Sequence, residues 1–82
     1  MAIIGDTYER WSKGTVKTWH REEEWGSIQV EGVAAECFAY FSCIVQRANE
    51  FLELVTGEDV RLTWYEAQQD EFSIVADRVE RS

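Results

Sequence analysis

Residues Glu22–Ser42 read EEEWGSIQVEGVAAECFAYFS. The segment divides into two β-strands joined at Glu31-Gly32. Trp25, Ile28 and Val30 lie on the first strand, and Cys37, Phe38, Tyr40 and Phe41 on the second. Gly32 supplies the positive φ that a tight turn often requires. The aromatics gathered here have two possible uses. They form a core, or some of them stand on an open face for a ligand.

Working outward, Trp11–Trp19 (WSKGTVKTW) reads as the strand before this pair, with Val16 as its core anchor. Lys13 and Lys17 share one parity and are expected to face water. His20–Glu24 is expected to be a polar, solvated turn. After Ser42 the period changes. Ile44, Val45, Ala48, Phe51, Leu52 and Val55 recur at three and four, which predicts a helix or a helical turn over 43–54, with Ser42 as N-cap and Gly57 as terminator. On that helix Phe51 would be buried beside Ala48 and Val55. Asp59–Tyr65 alternates cleanly as a fourth strand, Glu66–Asp70 reads as a polar turn, and Glu71–Val79 is a fifth strand with Phe72, Ile74 and Ala76 on one parity. Trp19, Trp64 and Phe72 are expected in or against the core, and Tyr8 and Trp11 over a barrel end.

At 82 residues the chain is expected to form one domain over 1–82, with an N-terminal extension at 1–10 and a frayed tail at 80–82. Its 45% hydrophobic content and four tryptophans argue for a folded globule. No apolar run reaches the roughly 18 residues of a membrane span, and the first residues lack the pattern of a secretory signal. A cytoplasmic monomer with no membrane partner is the expectation.

The net charge is −8 and unevenly spread. Residues 1–21 hold Arg10, Lys13, Lys17 and Arg21 against Asp6 and Glu9, whereas residues 22–82 hold four arginines against fourteen acids. Such acidity opposes non-specific binding to duplex DNA, yet it leaves room for a local basic strip beside a stacking surface. If Cys37 and Cys43 share an extended strand they stand about 20 Å apart, outside disulfide reach, so free thiols are expected. With His20 the sole histidine, neither zinc nor any other cofactor is expected, and the scattered carboxylates suggest no enzyme.

Three strands, a helix or helical turn, then two strands is the element order of the OB-fold. This is an all-β, five-stranded antiparallel barrel whose second and third strands form the usual face for single-stranded nucleic acid. The chain also resembles the cold-shock domain family over about Gly14–Val79. Gly14-Thr15-Val16-Lys17-Thr18-Trp19-His20 is similar to the family's opening Gly-x-Val-Lys-Trp-Phe-Asn. Glu23-Glu24-Trp25-Gly26-Ser27-Ile28 stands where the family has its first RNA-binding motif, Lys-Gly-Phe-Gly-Phe-Ile. Cys37-Phe38-Ala39-Tyr40-Phe41-Ser42-Cys43-Ile44 is similar to its second motif, Val-Phe-Val-His-Phe-Ser-x-Ile, and is the most specific part. Glu50-Phe51-Leu52-Glu53-Leu54, Gly57-Glu58-Asp59-Val60 and Ala76-Asp77-Arg78-Val79 resemble further family signatures.

The resemblance implies binding of single-stranded RNA or DNA by stacking of unpaired bases. Trp25, Phe38, Tyr40, Phe41 and Phe51 would supply the rings and Lys17 the basic side chain, with Lys13 and His20 beside them. Thr18 and Ser27 depart from the pattern, since the family carries rings there, and Glu23 and Glu24 replace a Lys and a Gly. Stacking is worth roughly 1–3 kcal/mol per base, and a carboxylate about 8 Å from a phosphate repels it by roughly 0.5 kcal/mol in water. The acids are therefore expected to weaken binding. The alternative is a diverged OB-fold module whose aromatic face meets a protein partner. The two are separated by charge: a basic strip of Lys13, Lys17 and Arg21 bordering the rings favours nucleic acid, and the Glu22–Glu24 run bordering them favours a protein partner.

Overall fold

The computed structural model describes residues 11–45 and 53–81. Their elements are β1 (Ser12–His20), β2 (Trp25–Val30), β3 (Glu36–Tyr40), a 3-10 turn (Phe41–Cys43), β4 (Asp59–Gln69) and β5 (Phe72–Arg81). The strands close into a barrel in the order β1-β2-β3-β5-β4. All neighbouring pairs are antiparallel except β3 and β5, which run parallel and close the barrel through Cys37↔Ile74 and Phe38↔Val75.

The period-2 alternation of each strand decides which side chains fill the barrel. Val16, Ile28, Val30, Cys37, Ala39, Val60, Leu62 and Val79 point inward and are almost fully buried. Each large aliphatic side chain among them contributes about 1.5–3 kcal/mol of burial free energy. Trp19 and Trp64 pack against this core as expected, and the Trp64 indole Nε1 donates to Ser12 Oγ at 3.2 Å. Gly32, at φ 82°, takes the turn between β2 and β3.

Three expectations need correction. Over the described part of 43–54 the chain is not an α-helix. The 3-10 turn ends at Cys43, Ile44 is extended and bridges Val79 in parallel, and the Val45 amide donates to the Val79 carbonyl at 2.8 Å. Backbone partners on β5 outweigh the local apolar period here, and Ser42 lies inside the turn, where Tyr40 holds the cap position. Glu53–Val55 has no regular structure, and its Leu54 plugs the core. A helical turn between β3 and β4 is present, at Phe41–Cys43, at the start of the expected span; residues 46–52 lie outside the described residues.

The second correction concerns β4, which runs to Gln69, beyond Tyr65. Glu66 and Gln69 pair with Ile74 and Phe72 of β5, and the ribbon turns at Asp70, whose φ is 53°. Glu66 and Gln68 are exposed and Ala67 and Gln69 only half-buried, so no buried apolar face marks this stretch as a strand in sequence. The third is Phe72, whose ring lies outside the core cluster. Phe51, Tyr8, the extension at 1–10 and Ser82 lie outside the described residues.

Candidate nucleic-acid interface

The outward parity of β1, β2 and β3 builds one face. Register places His20 opposite Trp25 and Trp25 opposite Tyr40, so these three form a row across the sheet. Thr18, Ser27 and Phe38 form the adjacent row. The rings touch. His20 and Trp25 lie 4.2 Å apart between centroids, Trp25 stacks on Phe38 at 5.3 Å, and Tyr40 meets Phe38 edge-on at 4.8 Å. Phe72 closes the group from β5, 5.5 Å from Phe38 and 6.0 Å from Trp25. Each such pair is worth about 0.5–1.5 kcal/mol beyond its buried area.

This packing assigns the rings different accessibilities. Phe38 is only 3% exposed. It sits on the outer face, as the pattern requires, but beneath Trp25, Tyr40 and Phe72, so it supports the platform instead of presenting a surface. Tyr40 is 49% and Phe41 37% exposed, His20 is exposed, and Trp25 is half-buried. Phe41 leaves the strand parity because it opens the 3-10 turn, where its amide donates to the Glu24 carbonyl at 2.9 Å. Phe72 is the ring that sequence reasoning assigned elsewhere. Its parity with Ile74 and Ala76 suggested the core, but the irregular register near Gln69↔Phe72 swings it to the cluster.

Gly26 permits the β1–β2 approach that carries the platform. A Cβ there would lie 2.3 Å from the Thr18 carbonyl oxygen and 2.4 Å from Trp19 Cε3.

The charges are arranged less favourably. Lys17 occupies the β1 bulge between Val16 and Thr18, and its Nζ lies 3.8 Å from Glu36 Oε2. Arg21 pairs with Glu53 at 2.6 Å. Lys13 lies opposite Arg61 of β4, away from the ring contacts. Glu22, Glu23 and Glu24 form the exposed turn that joins His20 to Trp25, as expected of a solvated loop. The Glu23 and Glu24 amides both donate to the His20 carbonyl, and Glu24 takes φ 63°. The acids thus border the rings at the Trp25 end.

Both thiols are free. Burial, with a smaller contribution from Cys43, pushes the Cys37 thiol up to about 12. Cys43, whose Sγ donates to the Tyr40 carbonyl at 2.9 Å, is pushed up by burial to about 11. Neither has the low pKa of a reactive cysteine.

No protein-family model and no curated protein matches this sequence. Solved structures do match it, among them the Drosophila Unr CSD456 chain of cold-shock domains, at a TM-score of 0.69 and 18% identity. The alignment covers 98% of this chain and 30% of that one, so the chain spans about a third of that relative's length. At this identity the likeness carries the fold alone, and it agrees with the closed five-stranded barrel and its 3-10 turn between β3 and β4. The chain has the fold of a cold-shock domain.

Proposed function

We propose that this domain binds single-stranded RNA or DNA by stacking unpaired bases on Trp25, Tyr40 and Phe41, with His20 at the edge and Phe38 and Phe72 as the supporting layer. The observation that carries the reading is the contiguous cluster of Trp25, Phe38 and Tyr40 on the outer face of β2 and β3, with Tyr40 open to solvent; the exposed Phe41 follows it in the 3-10 turn, outside the ring contacts. Stacking suits a face with few free cations, because it does not depend on phosphate neutralisation. Three accessible rings at roughly 1–3 kcal/mol per base contribute about 3–9 kcal/mol, which the acidic turn reduces, so the expected affinity is micromolar at its tightest and otherwise weaker. By mass action such binding holds a strand unpaired. On this reading the domain is a cytoplasmic, monomeric binding module and not an enzyme.

Tryptophan-fluorescence titration with oligo-dT and its RNA counterpart, at about 50 and 200 mM salt, tests the proposal. Saturable quenching that weakens in Trp25→Phe and changes little with salt supports it. No binding at millimolar oligonucleotide sinks it.

One observation favours a second reading. The Glu22–Glu24 turn adjoins Trp25 while Lys17 and Arg21 are paired with acids, an arrangement that suits a basic protein partner on the aromatic face. Replacing all three glutamates by glutamine separates the two, because it strengthens oligonucleotide binding under the first reading and weakens partner binding under the second.

A further inference from the structure

The row that contains Phe38 does not stop at β3. Phe38 is paired with Val75 of β5, and Val75 with Tyr65 of β4. Val75 is half-buried and Tyr65 is 50% exposed, on the same outer face. Two strand spacings, about 10 Å, separate Phe38 from Tyr65. In the other direction the row ends without a ring, at Ser27 and Thr18. Apolar and aromatic surface therefore continues from the Trp25 face toward β5 and β4, not toward β1.

One cation outside the ion pairs, Arg78 of β5, lies on that side too. Lys17, Arg21, Arg61 and Arg81 each sit 2.6–3.8 Å from a carboxylate. Among the described residues Lys13 and Arg78 make no ion pair. Arg78 is opposite Thr63, two residues before Tyr65 on β4, and is exposed. Its guanidinium lies 5.2 Å from the centroid of the Trp11 ring, which also covers Arg61 at 4.4 Å. Asp77, exposed in the β5 bulge, is the acid beside it in sequence.

We propose that a bound single strand continues from the Trp25 face across Val75 to a second patch, where Tyr65 stacks on a base and Arg78 meets the phosphate. The inference rests on the single-strand reading above. It makes the length of the strand the determinant of affinity, since a short oligonucleotide occupies only the first face.

The test compares labelled oligothymidylates of about four and about ten nucleotides, within the span of one OB-fold, by fluorescence anisotropy on the full chain. Tyr65→Ala is expected to weaken the longer oligonucleotide about 5–10-fold and leave the shorter unchanged. Arg78→Gln should reduce the salt slope of the longer by about 0.7. In the wild-type chain, the amide signals of Tyr65, Val75 and Arg78 should shift with the longer oligonucleotide only, a readout that no variant's folding can disturb. Unchanged affinity in Tyr65→Ala and still amides at these positions, with Trp25→Ala weakening both oligonucleotides, overturns the second patch and leaves the first face standing. If neither oligonucleotide binds the wild-type chain, both proposals fall together.

Discussion

Thr18 and Ser27 face each other across β1 and β2 with their hydroxyl oxygens 2.9 Å apart. Where the resembled family carries two rings, this chain has a cross-strand hydrogen bond. Ser27 is 2% exposed and Thr18 is open to solvent, so the bond serves the buried partner. Thr18→Trp should therefore have two opposed effects. It adds a stacking surface, for about a 5-fold gain in oligonucleotide affinity. It also orphans the Ser27 hydroxyl, at a cost of about 1–2 kcal/mol in urea unfolding. The double variant Thr18→Trp/Ser27→Ala should keep the affinity and recover most of the stability.

Gly26 is required by contact and not by conformation. A methyl group there meets the Thr18 carbonyl and the Trp19 ring at well under van der Waals distance. The backbone oxygen cannot swing away as a side chain could. Gly26→Ala should cost about 3 kcal/mol or more in denaturant unfolding and loosen the β1–β2 pairing. An unchanged midpoint would show that the strands separate cheaply.

Glu24 combines strain and charge. Its φ of 63° lies in the left-handed region, which costs an L-residue roughly 1–2 kcal/mol. Its carboxylate belongs to the acidic turn beside the rings. Glu24→Gly should raise stability by about 0.5–1 kcal/mol after the entropic cost of glycine. It should also raise oligonucleotide affinity at low salt. Glu24→Gln should raise affinity without the gain in stability, which separates the two contributions.

The thiols give a pH signature. Cys37 and Cys43 have folded values of about 12 and about 11 against an ordinary value of 9.0. Above the ordinary value the unfolded chain loses thiol protons that the folded chain retains. The stability from these neutral thiols is thus complete below about pH 9 and declines as pH rises through about 11 and then 12. Urea midpoints should fall across that window, and less so in Cys43→Ser. Thiol reagents at pH 8 should label the native chain slowly and the unfolded chain fast.

Much of this architecture is legible in the residues. The alternation over Asp59–Tyr65 specifies a strand because Val60 and Leu62 are buried between exposed Asp59 and Arg61, and Phe38 and Tyr40 fall on the outward parity as the pattern demands. The failures share a cause in tertiary pairing. Ile44 and Val45 have helical spacing, yet Val79 offers them backbone partners. Residues 66–69 are polar apart from Ala67, yet they continue β4 in its pairing with β5. Within the site, parity showed which side Phe38 faces but not that Trp25, Tyr40 and Phe72 would cover it, since that depends on ring packing between strands far apart in sequence. The pairing of Lys17 with Glu36 is a contact of the same long-range kind.

On this reading bases stack on the β2–β3 face. Intermolecular nuclear Overhauser contacts between a short oligothymidylate and the aromatic side chains test it most directly. Contacts are expected from base protons to the Trp25 indole and to the Tyr40 and Phe41 rings, with Phe38 reached weakly or not at all. A saturating oligonucleotide whose bases contact none of Trp25, Tyr40 and Phe41 would contradict it.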